Sequence, residues 1–272
     1  MLRTPIDIWT PLARVRAASP LVHNITNYVV MNSTANALLA IGASPAMVHA
    51  LEEVEEFVAL SRALVINIGT LSPPWVEAMR RAVRSAKRAG IPWVLDPVGA
   101  GATSYRTATA AALIGLGPTV IRGNASEIAA VGGGSDAGGK GVDSTRTSAS
   151  SLGVAKALAR TTSAIVAMTG AVDYVTDGGR VVAIRNGDPL MARVTGLGCT
   201  ASALVGAFLV GPDPFEATVA ALTVLGVAGE VAAIRSAGPG SLQLELLDAL
   251  HALDRATLTG RARVEWVEGA PP

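Results

Sequence analysis

The chain has 272 residues, with 22 basic and 21 acidic side chains and a formal charge of +1. That near-balance gives no sign of the electrostatic footprint of a nucleic-acid binder or a membrane-surface protein. Half of the residues are hydrophobic but only 4% are aromatic, a composition that suits closely packed helices and parallel strands better than a β-sandwich.

The length is compatible with one large α/β domain over residues 1–272. Cys199 is the only cysteine, so no disulfide can form within the chain and a cysteine-rich metal site is excluded. A cytoplasmic location fits. The first twenty residues hold no long apolar stretch, which argues against a secretory signal. The apolar region 217–234 is interrupted by Glu230 and reads as a buried helix rather than a membrane span.

Taken in chain order, Thr4-Pro5 resembles an N-cap followed by proline at the first helical position, opening a helix to residue 18. A second helix is expected over 28–40 and a short buried strand over 44–48. Residues 51–60 form an acidic amphipathic helix with Glu52, Glu53, Glu55 and Glu56 outward. The apolar run 63–68, ended by Gly69, has the character of a parallel strand buried on both faces. The alternation then repeats: a basic helix over 74–89 closed by Gly90, a strand over 93–96, a helix over 108–114, a strand over 119–121, a short helix over 124–131, a helix over 148–160 and a strand over 164–168. Residues 174–176 and 180–184 read as a hairpin turning at Asp177-Gly178-Gly179. From Cys199 onward the chain is mostly helical, and the last dozen residues read as a loose tail.

Strands alternating with helices imply a mainly parallel sheet covered on both faces. Ligands of such sheets bind beyond the carboxyl ends of the strands. Two glycine-rich segments fail as nucleotide fingerprints. Gly134 to Lys140 fits the start of a P-loop, but Gly141 follows where a magnesium-binding hydroxyl is needed, and the segment does not follow a strand. Gly196-Leu197-Gly198-Cys199-Thr200-Ala201 fits a dinucleotide fingerprint, yet the segments after it are helices and Glu216 falls at a helix start.

Four strand-end segments carry the chemistry. Gly196 to Cys199 opens a helix whose free N–H groups and small side chains can receive a phosphate, or it is a plain helix start with a buried thiol. Asp96, after a strand, either helps hold a hydrated magnesium ion or is a turn acid. Arg122 can meet a nucleotide phosphate. Asn124 and Glu127 have capping-box spacing, a structural role compatible with Glu127 facing a magnesium-bound water. Thr169 either offers a hydroxyl to a phosphate oxygen or is a simple turn hydroxyl. Together these groups make a complete set for phosphoryl transfer from ATP with magnesium.

The ordered motifs HNITNYVV (23–30), GASPAM (42–47), NIGT (67–70), LDPVGAG (95–101), RGNASEI (122–128), MTG (168–170) and GLGC (196–199) resemble those of the hydroxyethylthiazole kinase family. The resemblance implies a ribokinase-like three-layer αβα sandwich without a lid domain. It implies ATP-dependent phosphorylation of 4-methyl-5-(2-hydroxyethyl)thiazole in thiamine biosynthesis or salvage, Mg²⁺, and a homotrimer with active sites at subunit interfaces. By the same resemblance Met47 and Gly196 are substrate-binding, with Asn24 near the substrate. Arg122 and Thr169 contact ATP, with Asn124 beside them. Asp96 and Glu127 are the Mg²⁺-associated acids, and Gly198 and Cys199 stand at the reacting centre. His23 is as well explained by a structural role. Related sugar and pyridoxal kinases carry Asp at the position of Cys199. A thiol at a helix N-terminus is expected to be partly thiolate at neutral pH, assisting a transfer dominated by the helix end and magnesium. Leu197 stands where the family more often has a hydroxyl residue. The rival activities on this fold are a pyridoxine or hydroxymethylpyrimidine kinase and an ADP-dependent dehydratase of nicotinamide hydrates. A non-catalytic thiazole- or nucleotide-binding module is the rival of another class.

Overall fold

The computed structural model describes residues 6–133 and 144–269. In chain order the elements are α1 (Trp9–Ala18), β1 (Leu21–Ile25), α2 (Met31–Ala40), β2 (Ser44–Ala46), α3 (Val54–Leu60), β3 (Ala63–Asn67), α4 (Pro73–Ala89), β4 (Trp93–Asp96), α5 (Ser104–Ile114), β5 (Val120–Asn124), α6 (Ala125–Val131) and α7 (Ser144–Thr162). They continue with β6 (Ile165–Thr169), β7 (Asp173–Thr176), β8 (Val181–Ile184), a 3-10 turn (Pro189–Arg193), α8 (Leu197–Phe208), α9 (Pro214–Arg235), α10 (Pro239–Ala252), α11 (Arg255–Arg261) and β9 (Val264–Glu268).

All nine of these strands form one sheet in the order β2-β1-β3-β4-β5-β6-β7-β8-β9. The first six positions in that order pair in parallel. The last three strands add antiparallel. Side chains alternate along each strand, so the sheet feeds two cores. Val22, Val65, Val94, Val120 and Ala167 face the layer that contains α1, α2, α8, α9, α10 and α11. Leu64, Ile66, Trp93 and Leu95 face α4 and α5, while Ile121, Val166 and Met168 meet α6 and α7. The result is the expected three-layer αβα sandwich.

Several boundaries move for visible reasons. Thr4 and Pro5 lie outside the described residues, and α1 starts at Trp9, where Asp7 Oδ1 accepts the N–H groups of Trp9 and Thr10 at 3.0 and 3.1 Å. The second helix begins at Met31 rather than residue 28, because Asn27 closes a turn by accepting the N–H of Val29 at 3.1 Å. The third begins at Val54 because residues 51–53 form a turn. The fifth begins four residues earlier than expected, capped by Thr103.

Two strands were not anticipated. Residues 21–25 form β1, whose polar His23 and Asn24 hide the strand pattern although both are buried. Residues 264–268 form β9, so the loose tail expected over the last dozen residues is corrected: this stretch pairs with β8. The segment 134–140 that imitates a P-loop lies outside the described residues.

Helix α9 is long and apolar, but 78% of its most apolar window is buried inside the protein, as a core helix should be. Its interrupting Glu230 has partners: Oε1 accepts from Asn186 Nδ2 at 3.0 Å and from the Gly187 N–H at 2.9 Å, and pairs with Arg263.

Helix α8 lies across β1, β3 and β4. It approaches closely because Gly206 has no side chain: a Cβ there would stand 2.6 Å from Val65 Cγ2 and 3.3 Å from Val22 Cγ1. Gly206→Ala should therefore lower stability by about 1–3 kcal/mol through overpacking. Gly153→Ala on α7, where a Cβ would meet nothing within 4 Å, should be neutral or stabilising by up to about 1 kcal/mol. Parallel thermal melts of the two variants check the contrast.

Candidate active site

The site grows from the strand period. Val65, Val94, Val120 and Ala167 point at the α8 face, so residues two further on point the same way. These are Asn67, Asp96, Arg122 and Thr169. Strand register aligns Asn67 with Asp96 and sets Arg122 and Thr169 on neighbouring strands. Each strand thus turns from apolar to polar at its carboxyl end, where α8 begins.

Asp96 is fully buried. Its Oδ2 accepts from Asn67 Nδ2 at 2.9 Å and from Ser202 Oγ at 2.8 Å, and lies 3.8 Å from Arg122. Its Oδ1 is buried without a partner among the described residues. Burial pushes the carboxyl up to about 6; Arg122 pulls it down, Glu127 pushes it up, and the bonds from Ser202 and Asn67 pull it down. Asn67 passes the network outward. Its Oδ1 accepts from Asn27 Nδ2 and from the Gly69 N–H, both at 2.9 Å, and Asn27 Nδ2 also reaches Cys199 Sγ at 3.6 Å.

Arg122 donates to Thr169 Oγ1 and its Nε has no partner among the described residues. Its guanidinium lies against the start of α8, where a Cβ on Gly198 would come within 2.7 Å of it. Gly198 is therefore required for the approach of cation and helix. Gly196 caps α8 at φ 84°, in the left-handed region, with Val30 Cγ1 2.6 Å from where its Cβ would be. Either effect alone selects glycine. The first helical bond of α8 runs from the Thr200 N–H to the Gly196 carbonyl at 2.8 Å, so the N–H groups of Leu197, Gly198 and Cys199 precede the ladder. Leu197 packs against the apolar core rather than toward an anion.

Asn124 and Glu127 form the expected capping box on α6. Glu127 also spans to the next strand end: Oε2 accepts the Asn124 N–H at 2.8 Å, and Oε1 accepts the Gly99 N–H at 2.9 Å. Arg106 holds the same loops from behind, donating to the carbonyls of Ile68, Val98 and Gly69 at 2.7, 3.0 and 2.9 Å.

The expected residues divide into two groups. Asp96, Arg122, Thr169, Asn124, Glu127, Gly196, Gly198 and Cys199 converge as described. Met47 is half-buried just beyond β2, and Asn24 is buried with Nδ2 donating to the Val22 carbonyl at 3.0 Å and Oδ1 unpartnered among the described residues. No described hydrogen bond or ion pair joins these two to the Asp96 network. His23 Nε2 meets the Val48 carbonyl at 2.7 Å and its ring packs on Phe57, while Nδ1 is buried without a partner among the described residues. Sequence reasoning did not single out Asn27, Asn67, Ser202, Arg106 or Asp173. Asn67 had a signal, a polar residue ending an otherwise apolar strand.

The partly ionised thiol is corrected. Burial pushes Cys199 up to about 11, and the charge of Asp96 pushes the same way, against the bonds from Asn67 and Asn27 and the charge of Arg122. Burial first, and the Asp96 charge second, hold the proton on the thiol.

The family model for the hydroxyethylthiazole kinase family matches residues 12–256. The chain belongs to this family. A hydroxyethylthiazole kinase from Granulibacter bethesdensis is 58% identical over 94% of this chain and 93% of its own length. The solved hydroxyethylthiazole kinase of Pyrococcus horikoshii OT3 is 45% identical, with a TM-score of 0.90 over 96% of this chain and 99% of that one. A pyridoxal kinase from Staphylococcus aureus, solved with AMP-PCP and pyridoxal, shares this fold at 16% identity and a TM-score of 0.63, over 92% of this chain and 99% of that one.

Two measurements test the electrostatics of this family site. With a value of about 11, about one Cys199 in a thousand is thiolate at pH 8, against about one in four for a free thiol. Alkylation by iodoacetamide, followed as mass gain on the sole cysteine, should be slow at pH 8 and still be rising at pH 10. Asp173, half-buried at the start of β7, accepts the Gly170 N–H at 2.9 Å. Burial pushes its carboxyl from 3.8 to about 6, opposed by that bond and by Arg122. A raised folded-state value means the folded chain holds this proton more tightly than the unfolded chain. Its stabilisation is complete below about pH 4 and is lost as pH rises through 6. Relative to wild type, Asp173→Asn should gain about 1–3 kcal/mol between pH 4 and pH 7, read from urea melts at both values.

Proposed function

We propose that the protein transfers the γ-phosphoryl group of ATP to the primary hydroxyl of 4-methyl-5-(2-hydroxyethyl)thiazole, giving the thiazole phosphate and ADP in thiamine biosynthesis or salvage. The observation that carries this reading is the meeting of the α8 N-terminus, the Arg122 guanidinium and the buried Asp96 carboxylate at one rim of the sheet. Membership of the family supplies the acceptor.

In this reading Arg122, Thr169 and Asn124 receive ATP. The Nε of Arg122 has no partner among the described residues, which suits a donor to a phosphate oxygen, since buried polar groups are usually hydrogen-bonded. The N–H groups at the start of α8 face the transferring phosphoryl group, whose charge they stabilise as it spreads over its oxygens. Gly196 and Met47 border the acceptor, with Asn24 behind them. Asp96 and Glu127 fit Mg²⁺: Asp96 Oδ1 is a buried acceptor without a partner among the described residues, and Mg²⁺ is commonly held by one or two carboxylates, phosphate oxygens and waters. When bound, the ion neutralises phosphate charge. The neutral Cys199 thiol lies beside the reacting hydroxyl as a polar contact rather than as a base. The loose transition state asks for positioning and charge neutralisation more than for proton abstraction. We further read residues 1–272 as one kinase domain, cytoplasmic and homotrimeric with active sites between subunits. The single free cysteine supports the compartment, and exposed Leu39 and Leu60 support burial against another copy.

Purified protein with ATP, Mg²⁺ and hydroxyethylthiazole should release ADP and form the thiazole phosphate by mass spectrometry, in preference to pyridoxine and hydroxymethylpyrimidine. ADP or phosphate release without a phosphorylated alcohol would point instead to the dehydratase. Cys199→Ser should lose less than about a hundredfold in kcat, the lower end of a general-base contribution. A larger loss, with folding and substrate KM unchanged, would make Cys199 the base.

A further inference from the structure

Two loops and the first turn of α4 meet through their aromatic side chains. Tyr28 lies between β1 and α2, His49 follows β2, and Trp75 is in the first turn of α4, after β3. The Trp75 ring centroid is 4.9 Å from Tyr28 and 4.4 Å from His49, with both pairs tilted. Trp75 is 6% exposed and rooted in the core beneath α4, whereas Tyr28 is 66% exposed. One side of this stack is fixed and the other is open.

The placement of the stack ties it to the reaction. Tyr28 directly follows Asn27, whose amide reaches Cys199 Sγ. Two residues after Tyr28, Val30 touches the α8 cap at Gly196. His49 lies two residues after Met47, and Gly69, six residues before Trp75, lies against the Asn27 side chain. Along the chain, Asn27 and Met47 thus each lie within two residues of a ring of the stack, and Gly196 touches Val30, two residues from Tyr28. Aromatic pairs at these separations contribute beyond their buried area, and tilted rings leave faces for a further planar group.

We propose that Tyr28, Trp75 and His49 form an aromatic clamp that selects a flat heteroaromatic alcohol as acceptor, Tyr28 contacting its ring while Trp75 and His49 position the loops of Asn27 and Met47. The inference rests on the thiazole-kinase reading and adds the residues that discriminate among acceptors. Trp75 and His49 are positioning residues, and Tyr28 is the specificity-determining one. Hydroxyl and phosphate contacts elsewhere in the site are indifferent to ring character, so the clamp governs acceptor affinity and leaves ATP affinity alone.

The test compares wild type with Tyr28→Ala, Tyr28→Phe, Trp75→Leu and Trp75→Phe by steady-state kinetics on hydroxyethylthiazole and ATP, with thermal melts to verify folding. Tyr28→Ala should raise the KM for the thiazole about two- to tenfold and leave the KM for ATP and kcat within about twofold. Tyr28→Phe should restore the wild-type value. Trp75→Leu should follow Tyr28→Ala, and Trp75→Phe should be intermediate. Because Tyr28 is largely exposed, its variants decide the matter should Trp75→Leu fail to fold. Unchanged thiazole KM in Tyr28→Ala, or KM for ATP rising in parallel, overturns the clamp while the activity reading stands. Wild-type protein that makes no thiazole phosphate overturns that reading and the clamp with it.

Discussion

The burial of a single carboxylate organises this molecule. Asp96 has no exposed surface, and an isolated charge in that position would be strongly unfavourable. It is tolerated because groups from three other elements converge on Oδ2: Asn67 from β3, Arg122 from β5 and Ser202 from α8. The same contacts fix the relative positions of those elements at the strand ends. Removing one partner would leave the remainder uncompensated, which is why buried ionic groups of this kind specify geometry more than they add stability. Among the described residues, one oxygen of Asp96 and one nitrogen of Arg122 are left without a partner, an acceptor and a donor side by side.

The second constraint is steric. Helix α8 must lie close to the sheet along its length and close to Arg122 at its start. Gly206 permits the first and Gly198 the second, while Gly196 supplies the left-handed residue from which the helix departs. The glycines that imitate a dinucleotide fingerprint therefore have another purpose: they let backbone N–H groups and a guanidinium occupy the same small region. Two positive features brought together in this way would repel unless an anion joined them, and Asp96 partly supplies that charge within the protein itself.

Much of this was legible in the sequence. The alternation of apolar runs with amphipathic helices is enough to read a parallel sheet with two covered faces, and polar residues just beyond those runs mark the rim. Asp96, Arg122 and Thr169 are found that way. β1 was missed because His23 and Asn24 break the apolar pattern, yet both are buried with backbone partners. β9 was missed because an edge strand is half solvated and carries Glu265 and Glu268 on a short, charged segment. Asn27, Asn67 and Ser202 act through contacts 29 to 172 positions apart in sequence. Only the register of the strands and the seating of α8 bring them together. Arg106 is of the same kind, an arginine on a helix that ties the nearby carbonyl of Val98 to the distant carbonyls of Ile68 and Gly69.

The thiol shows how local and tertiary effects compete. A helix N-terminus alone would favour the thiolate, since its dipole amounts to roughly half a positive charge. Cys199 instead lies where desolvation acts first and the neighbouring Asp96 charge acts in the same direction. Both oppose a second negative charge. For the proposed transfer this has a consequence: a site that keeps its thiol neutral leaves the positive potential of Arg122 and the α8 N–H groups to an incoming phosphoryl group. A thiolate in the same place would consume part of that potential before any substrate bound. In a transfer whose transition state gathers charge on phosphate oxygens rather than on the attacking hydroxyl, neutrality at Cys199 is the more useful state.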